Sequence, residues 1–437
     1  MNPWLGIAGV VAVLGLLMGA LKALGRFVSI PPEVSRKAVH IGMGLVCLSF
    51  PWIFAEKWPS AVLAGLAVVA LGAIRLTPFL RARLGSVLGG VQRESLGEIY
   101  FPIAVAAVFY LSGNAPLLYI IPVLTLTLAD SVGALIGVRY GLARYRTDDG
   151  MKSTEGSIAF FTVAFLSCHV PLLLFSNTGR TETLLIGLTA GFTVMLLEAI
   201  AWRGQDNMII PLGMFFLLHS FLPLGVTALL WRLFVIVALV LWVLIWRERT
   251  TLSNSAVLAA ALSGYAVWAF GGWLWLAAPL LLFIIYVMLP PFPGERPIQS
   301  LRAVTRVMAG GFLWLLAAKV TGKPNFLLPY LLCLAAHTGN IMTARLRVVR
   351  PELPLPKVFL WGLLVPTASF GLLTMVGCGF SWGSVMLVPL SVAISITLFV
   401  FAWPTEHTSA NRVQVWLAET LIAILASLPG LWITLLS

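Results

Sequence analysis

Apolar runs of roughly 20 residues recur from one end of the chain to the other, each closed by charged or turn-forming residues. The runs fall at 3–22, 38–55, 59–76, 98–112, 116–136, 157–175, 183–201 and 208–222 in the first part of the chain. They continue at 224–246, 252–270, 272–290, 302–318, 325–344, 357–378, 381–402 and 413–436. They are apolar throughout, without the alternation of a barrel strand. In lipid only helices and closed barrels satisfy every backbone group. The pattern therefore predicts an all-α, polytopic integral membrane bundle of about 16 transmembrane helices.

Charge tests this threading. With the first residue outside, 23 of the 28 Lys and Arg fall in loops on one side. The other side holds Lys57, Arg180, Lys319 and Lys323, and Arg232 lies within a run. Short basic loops stay cytoplasmic, so the basic side is the cytoplasmic one. The first run ends at Lys22 and Arg26 rather than at a small-residue cleavage site, and reads as a crossing.

Composition agrees with the pattern. Hydrophobic residues make up 60% of the 437 and charged residues 10%, against roughly 25% charged in soluble proteins. That excludes a string of soluble domains, a disordered chain and a disulfide-stapled module. The net charge of +12 follows from the basic loops and does not indicate nucleic acid. Cys47, Cys168, Cys333 and Cys378 lie in or beside apolar runs, too far apart in sequence for a zinc or redox pair, and read as small core residues.

Acids are placed differently from bases. All four aspartates lie between 130 and 206, and 11 of the 16 acids precede residue 210. This suggests a site-bearing domain over 1–247 and a scaffold domain over 248–437.

Three elements on the cytoplasmic side could carry chemistry. Asp130 ends a crossing in Leu-Ala-Asp-Ser-Val-Gly-Ala-Leu-Ile-Gly, and an acid at that depth costs roughly 3 kcal/mol on insertion. Such an acid serves a cation, proton or substrate, or it is paired where Ser131, Gly133 and Gly137 let helices approach. A polar loop, 139–155, then leads into Lys152-Ser153-Thr154-Glu155-Gly156-Ser157. Lysine, hydroxyl and glycine before a helix suit a phosphate chain. Ser153 or Thr154 with Glu155 also suits a helix cap. Glu198, Asp206 and Asn207 return carboxylates and an amide to that face. Hard oxygen ligands there suit Mg²⁺ carrying a polyphosphate. Arg36, Lys37 and His40, one helical turn apart, and Arg93 add cations nearby. The simplest chemistry is phosphoryl or nucleotidyl transfer between a cytosolic nucleotide and a lipid. No GxxxxGK[ST] loop is present.

The ordered set Arg36-Lys37-…-His40, Arg93-…-Gly97-…-Tyr100-…-Pro102, Ala129-Asp130-Ser131-…-Gly137-…-Tyr140-Gly141, Lys152-Ser153-…-Glu155-Gly156-Ser157 and Glu198-…-Asp206-Asn207-…-Pro211 resembles the polyprenol kinase family. That family includes dolichol kinase, phytol kinase and CTP-dependent diacylglycerol kinase. The resemblance covers about half the chain, residues 28 to 225, and the wording Arg-Glu-Ser-Leu-Gly-Glu-Ile-Tyr-Phe-Pro is nearest the phytol kinase branch. It implies transfer of the γ-phosphate of CTP to an isoprenoid or other lipid alcohol, with Mg²⁺, among membrane lipids. It implies Asp130, Lys152 and Asp206 as catalytic groups and Asp130, Glu198 and Asp206 as metal ligands. Arg36, Lys37, His40, Arg93, Ser131, Gly137, Ser153, Glu155, Gly156 and Asn207 would contact the nucleotide. The expected location is a bacterial plasma membrane, with the site on its cytoplasmic face.

The second half is similar to the phytyl-phosphate kinase (transmembrane protein 19-like) family, through Arg249 to Gly264, Gly271-Gly272-Trp273 and Arg306-Val-Met-Ala-Gly-Gly311. His337 stands where that family has an aspartate, and Met342 where it has a glutamate. A fusion with a degenerate, non-catalytic half is implied. Phosphatidate cytidylyltransferase, which also uses CTP and Mg²⁺, and a transporter are the competing readings.

Overall fold

The computed structural model describes residues 2–27, 31–77, 96–148, 150–290, 299–379, 381–402 and 412–436. The chain divides into two compact units, Met1–Ile236 and Val237–Ser437.

The first unit is built of helices α1 (Pro3–Phe27), α2 (Pro32–Leu48), α3 (Trp58–Leu76) and α4 (Gly97–Leu111). Next come α5 (Pro116–Tyr140), α6 (Thr154–Phe175), α7 (Arg180–Ile200), α8 (Asp206–Phe221) and α9 (Val226–Trp246), the last carrying the boundary between units. Proline sets several starts. Pro32, Pro59 and Pro116 occupy first-turn positions, where the missing N–H costs nothing. The expected crossing at 38–55 is divided: α2 stops at Leu48, and one separate turn, Phe50–Ile53, follows Ser49.

Two features depart from a plain helical bundle. Strands β1 (Arg144–Thr147) and β2 (Gly150–Ser153) form an antiparallel hairpin between α5 and α6, with Tyr145 opposite Lys152. Gly150, at φ 130°, makes its turn possible. Within α5, Thr125–Ala129 form a π turn, and the helix resumes at Asp130. The expected crossing ended near 136, whereas α5 continues to Tyr140.

The core of the first unit lies where α4, α5, α6, α7 and α8 meet, at Val108, Ile121, Ala164, Ile186 and Met214. Tyr119 is fully buried and donates to the Cys47 carbonyl at 2.7 Å, so its hydroxyl is satisfied inside the core. α5 and α6 approach through glycine. A Cβ at Gly156 would stand 2.9 Å from the Gly133 carbonyl oxygen and 3.0 Å from Gly137 Cα.

The second unit holds α10 (Asn254–Gly271), α11 (Trp273–Met288), α12 (Leu301–Thr321), α13 (Leu327–Val349), α14 (Leu355–Cys378), α15 (Trp382–Ala402) and α16 (Arg412–Leu436). α13 is its axis, and every residue from Leu327 to Asn340 is buried. Polar groups inside are mostly paired. Asn340 donates to Ser395 Oγ at 2.9 Å, Tyr330 to the Trp275 carbonyl at 2.7 Å, and Trp314 to Ser427 at 3.0 Å. Arg306 pairs with Glu419.

Ten helices among the described residues are long and apolar enough to cross a membrane. Four further apolar helices, Gly97–Leu111, Asp206–Phe221, Trp273–Met288 and Ala418–Thr434, are shorter. Cys47, Cys168 and Cys333 are buried and free, as expected of core residues; Cys378, also free, is exposed.

Candidate active site

The site of the first unit is built around Asp130, which is buried in α5 just after the π turn. Lys37 Nζ on α2 donates to Asp130 Oδ2 at 2.7 Å, and the two side chains are only 2% and 8% exposed. His40, on the same face of α2, places Nε2 3.5 Å from that oxygen and 3.1 Å from the Leu126 carbonyl in the π turn. The carbonyl can only accept, so Nε2 carries a proton. The imidazole meets Phe101 of α4 edge-on, with centroids 5.1 Å apart. α2 can come this close because Gly44 lies against Thr127, where a Cβ would collide.

A second pair forms at the hairpin. Lys152 Nζ, on β2, bonds to Glu198 Oε1 at 2.6 Å and to the Glu198 carbonyl at 2.5 Å, at the end of α7. Burial works against the ammonium, but the Glu198 carboxylate outweighs it and holds Lys152 above its ordinary value of 10.5. Tyr145, across the hairpin from Lys152, shares a hydrogen bond with Ser157 at 2.7 Å. Burial raises its phenol despite that bond.

Asp206 opens α8. The preceding loop bends through Arg203, at φ 52°, and Gly204, at φ 83°. A non-glycine residue in the left-handed region is uncommon. The Arg203 carbonyl accepts from Leu96 N–H at 3.1 Å, which ties the loop to the start of α4. Asp206 lies within electrostatic reach of Asp130, Lys37, Glu198 and Lys152, and Arg36 within reach of both aspartates. Arg36 itself holds Glu33 through two bonds, at 2.6 and 3.1 Å.

Several buried oxygens here have no protein partner: Asp206 Oδ1, Asn207 Oδ1 and Ser131 Oγ. Unpartnered buried polar atoms are costly unless a ligand, ion or water meets them. The Asp206 and Asn207 oxygens, on adjacent residues, are hard donors of the kind Mg²⁺ accepts. Among the described residues no three His, Cys, Asp or Glu side chains form a metal-binding group. The expected triad of Asp130, Glu198 and Asp206 is therefore not gathered into one cage, because Lys152 engages Glu198. One or two carboxylates plus substrate phosphates are the usual Mg²⁺ set, so Asp130 and Asp206 fit on their own.

The Lys-Ser-Thr-Glu-Gly element does structural work. Ser153 Oγ caps α6 by accepting from Gly156 N–H at 3.1 Å, and Glu155 Oε1 accepts from Ala143 N–H at 3.0 Å. Gly137 and Gly156 lie in the α5–α6 contact. Arg93 lies outside the described residues. The pattern of apolar runs predicts neither the π turn nor the hairpin. The hairpin's signal was Asp148-Asp149-Gly150 between two polar, β-compatible stretches.

The phytol kinase of Synechocystis sp. is 29% identical to this chain over 216 residues, which is 48% of this chain and 88% of that protein. No family model matches the chain, and no solved structure matches it.

Proposed function

We propose that this chain is a CTP-dependent kinase of a lipid alcohol, such as phytol or a polyprenol, with its site on the cytoplasmic face of a bacterial plasma membrane. The observation that carries the reading is the buried group of Asp130, Lys37 and Asp206 beside unpartnered oxygens of Ser131 and Asn207. The similarity to a phytol kinase over most of that protein's length supports it.

Asp130 and Asp206 would hold Mg²⁺, which when bound would neutralise the charge of the phosphates. Lys152 and Arg36 supply positive charge beside the phosphates. Asp206, with Oδ1 free of protein partners, is better placed than the lysine-bound Asp130 to take the alcohol proton. The alcohol oxygen bonds to the γ-phosphorus, the bond to the β-phosphate oxygen breaks, CDP leaves, and the proton passes to Asp206. The remaining work is alignment and charge neutralisation.

In the second unit, His337 on α13 is buried, with Nε2 unpartnered. Together with Met342 it supports reading this half as a fused, non-catalytic relative of a lipid-phosphate kinase.

The test is purified protein with γ-labelled CTP, Mg²⁺ and a panel of prenols. Label in a prenyl phosphate, with CDP released and both lost in Asp130→Asn, is expected. Pyrophosphate release with phosphatidate would instead establish a cytidylyltransferase. No turnover of any nucleotide would refute both and favour a transporter.

A further inference from the structure

Asp130 follows the π turn directly, and that turn decides where the carboxylate points. One extra residue in a turn rotates everything after it by about 100° relative to an unbroken helix. Whatever holds the turn therefore aims Asp130. The Lys37 bond acts on the carboxylate itself and leaves the backbone of Thr125–Ala129 free to return to regular spacing. His40 does act on that backbone. Its Nε2 lies 3.1 Å from the Leu126 carbonyl oxygen and 3.5 Å from Asp130 Oδ2, so one N–H faces both the turn and the carboxylate. Phe101 fixes the ring from its edge. Gly44 brings α2 against Thr127 of the same turn.

We infer that His40 is a positioning residue for Asp130: it clamps the Leu126 carbonyl, keeps the wide turn in place and so fixes the carboxylate. This replaces the expected role of His40 as a phosphate contact, and it rests on the kinase reading above. A glutamine Nε2 reaches about as far as an imidazole Nε2 and donates in the same way. Leucine fills similar space and donates nothing.

The experiment compares His40→Leu and His40→Gln in the full chain, by steady-state kinetics and by hydrogen exchange of peptides covering 125–131. His40→Leu is expected to lower kcat about 10²-fold, the scale of a misplaced reacting group, with the KM for nucleotide unchanged. Amide exchange should rise in 125–131 and stay level elsewhere. His40→Gln should restore both to within a few-fold of wild type. A raised nucleotide KM at unchanged kcat would overturn the proposal and make His40 an anion contact. Equal exchange in the two variants would also overturn it. If the wild-type chain phosphorylates no lipid alcohol, the kinase reading fails, and the exchange data alone decide whether His40 holds the turn.

Discussion

Replacing Lys37 with methionine keeps most of the side-chain volume and removes the cation. At 2.7 Å, with both side chains almost wholly buried, the gross attraction to Asp130 is about 6 kcal/mol at an effective dielectric of 20. Desolvation of both ions offsets most of this, so the net worth of the pair is far smaller. Breaking it from one side is another matter, because a buried carboxylate is left without its counter-charge. Lys37→Met should therefore cost about 3–5 kcal/mol, and Asp130→Asn a comparable amount by stranding the ammonium. The double variant strands neither charge and should lose less than the two single losses combined, with a coupling of about 2–3 kcal/mol. Unfolding in mixed micelles of dodecyl maltoside and SDS, run on all four proteins, measures this cycle directly. Single losses that add to the double loss within about 0.5 kcal/mol would refute the pairing and the electrostatics built on it.

Asp206→Asn should lower activity at least about 10²-fold through loss of the base, yet leave the melting temperature unchanged or raised, because a desolvated carboxylate whose Oδ1 meets no protein donor becomes a neutral amide; a large drop in melting temperature would contradict this. Ser153→Ala should cost about 1 kcal/mol through the lost α6 cap, seen by thermal unfolding; an effect confined to nucleotide KM would make the serine a phosphate contact instead. Gly156→Val should destabilise by about 1–3 kcal/mol or more, since its side chain meets backbone on α5, and thermal unfolding would detect it. For Lys152 the folded-state value is raised above 10.5. Its stabilisation is therefore fully present below the unfolded value and lost only as pH rises through the folded one. The melting-temperature gap between wild type and Lys152→Met should stay flat from about pH 6 to 9 and close only above the ordinary lysine range.

Length and polarity of the apolar runs were enough to place most helices, because membrane-length helices announce themselves by composition. They failed where local geometry decides. Ser49 divides one run into α2 and a separate turn, and the gap is a single residue inside an apolar stretch. The π turn leaves no mark in hydrophobicity, since Thr-Leu-Thr-Leu-Ala suits a regular helix equally well. At the site, residue types were legible and partners were not. Lys37 and Lys152 read as phosphate contacts, yet each holds a carboxylate 93 and 46 residues away in sequence. Charge on a face is visible in a sequence; which two charges meet depends on how helices are rotated. Ser153 suits a phosphate contact or a helix cap in sequence, and in the structure it caps α6, while Gly156 packs against α5.

The seam between α5 and α6 has a mechanical consequence. Where Gly133, Gly137 and Gly156 meet, backbone lies against backbone with only Phe160 Cβ and the short Ser153 side chain beside it, so little rotamer freedom is there to absorb a displacement. A tilt of α6 driven by the hairpin would be carried to Asp130 as through a lever with no slack. The spacing between the Lys152 hairpin and the Asp130 helix is thus written in main chain. Any remodelling of the loop between β1 and β2 would be felt at the carboxylate as strain before it was felt as lost contact.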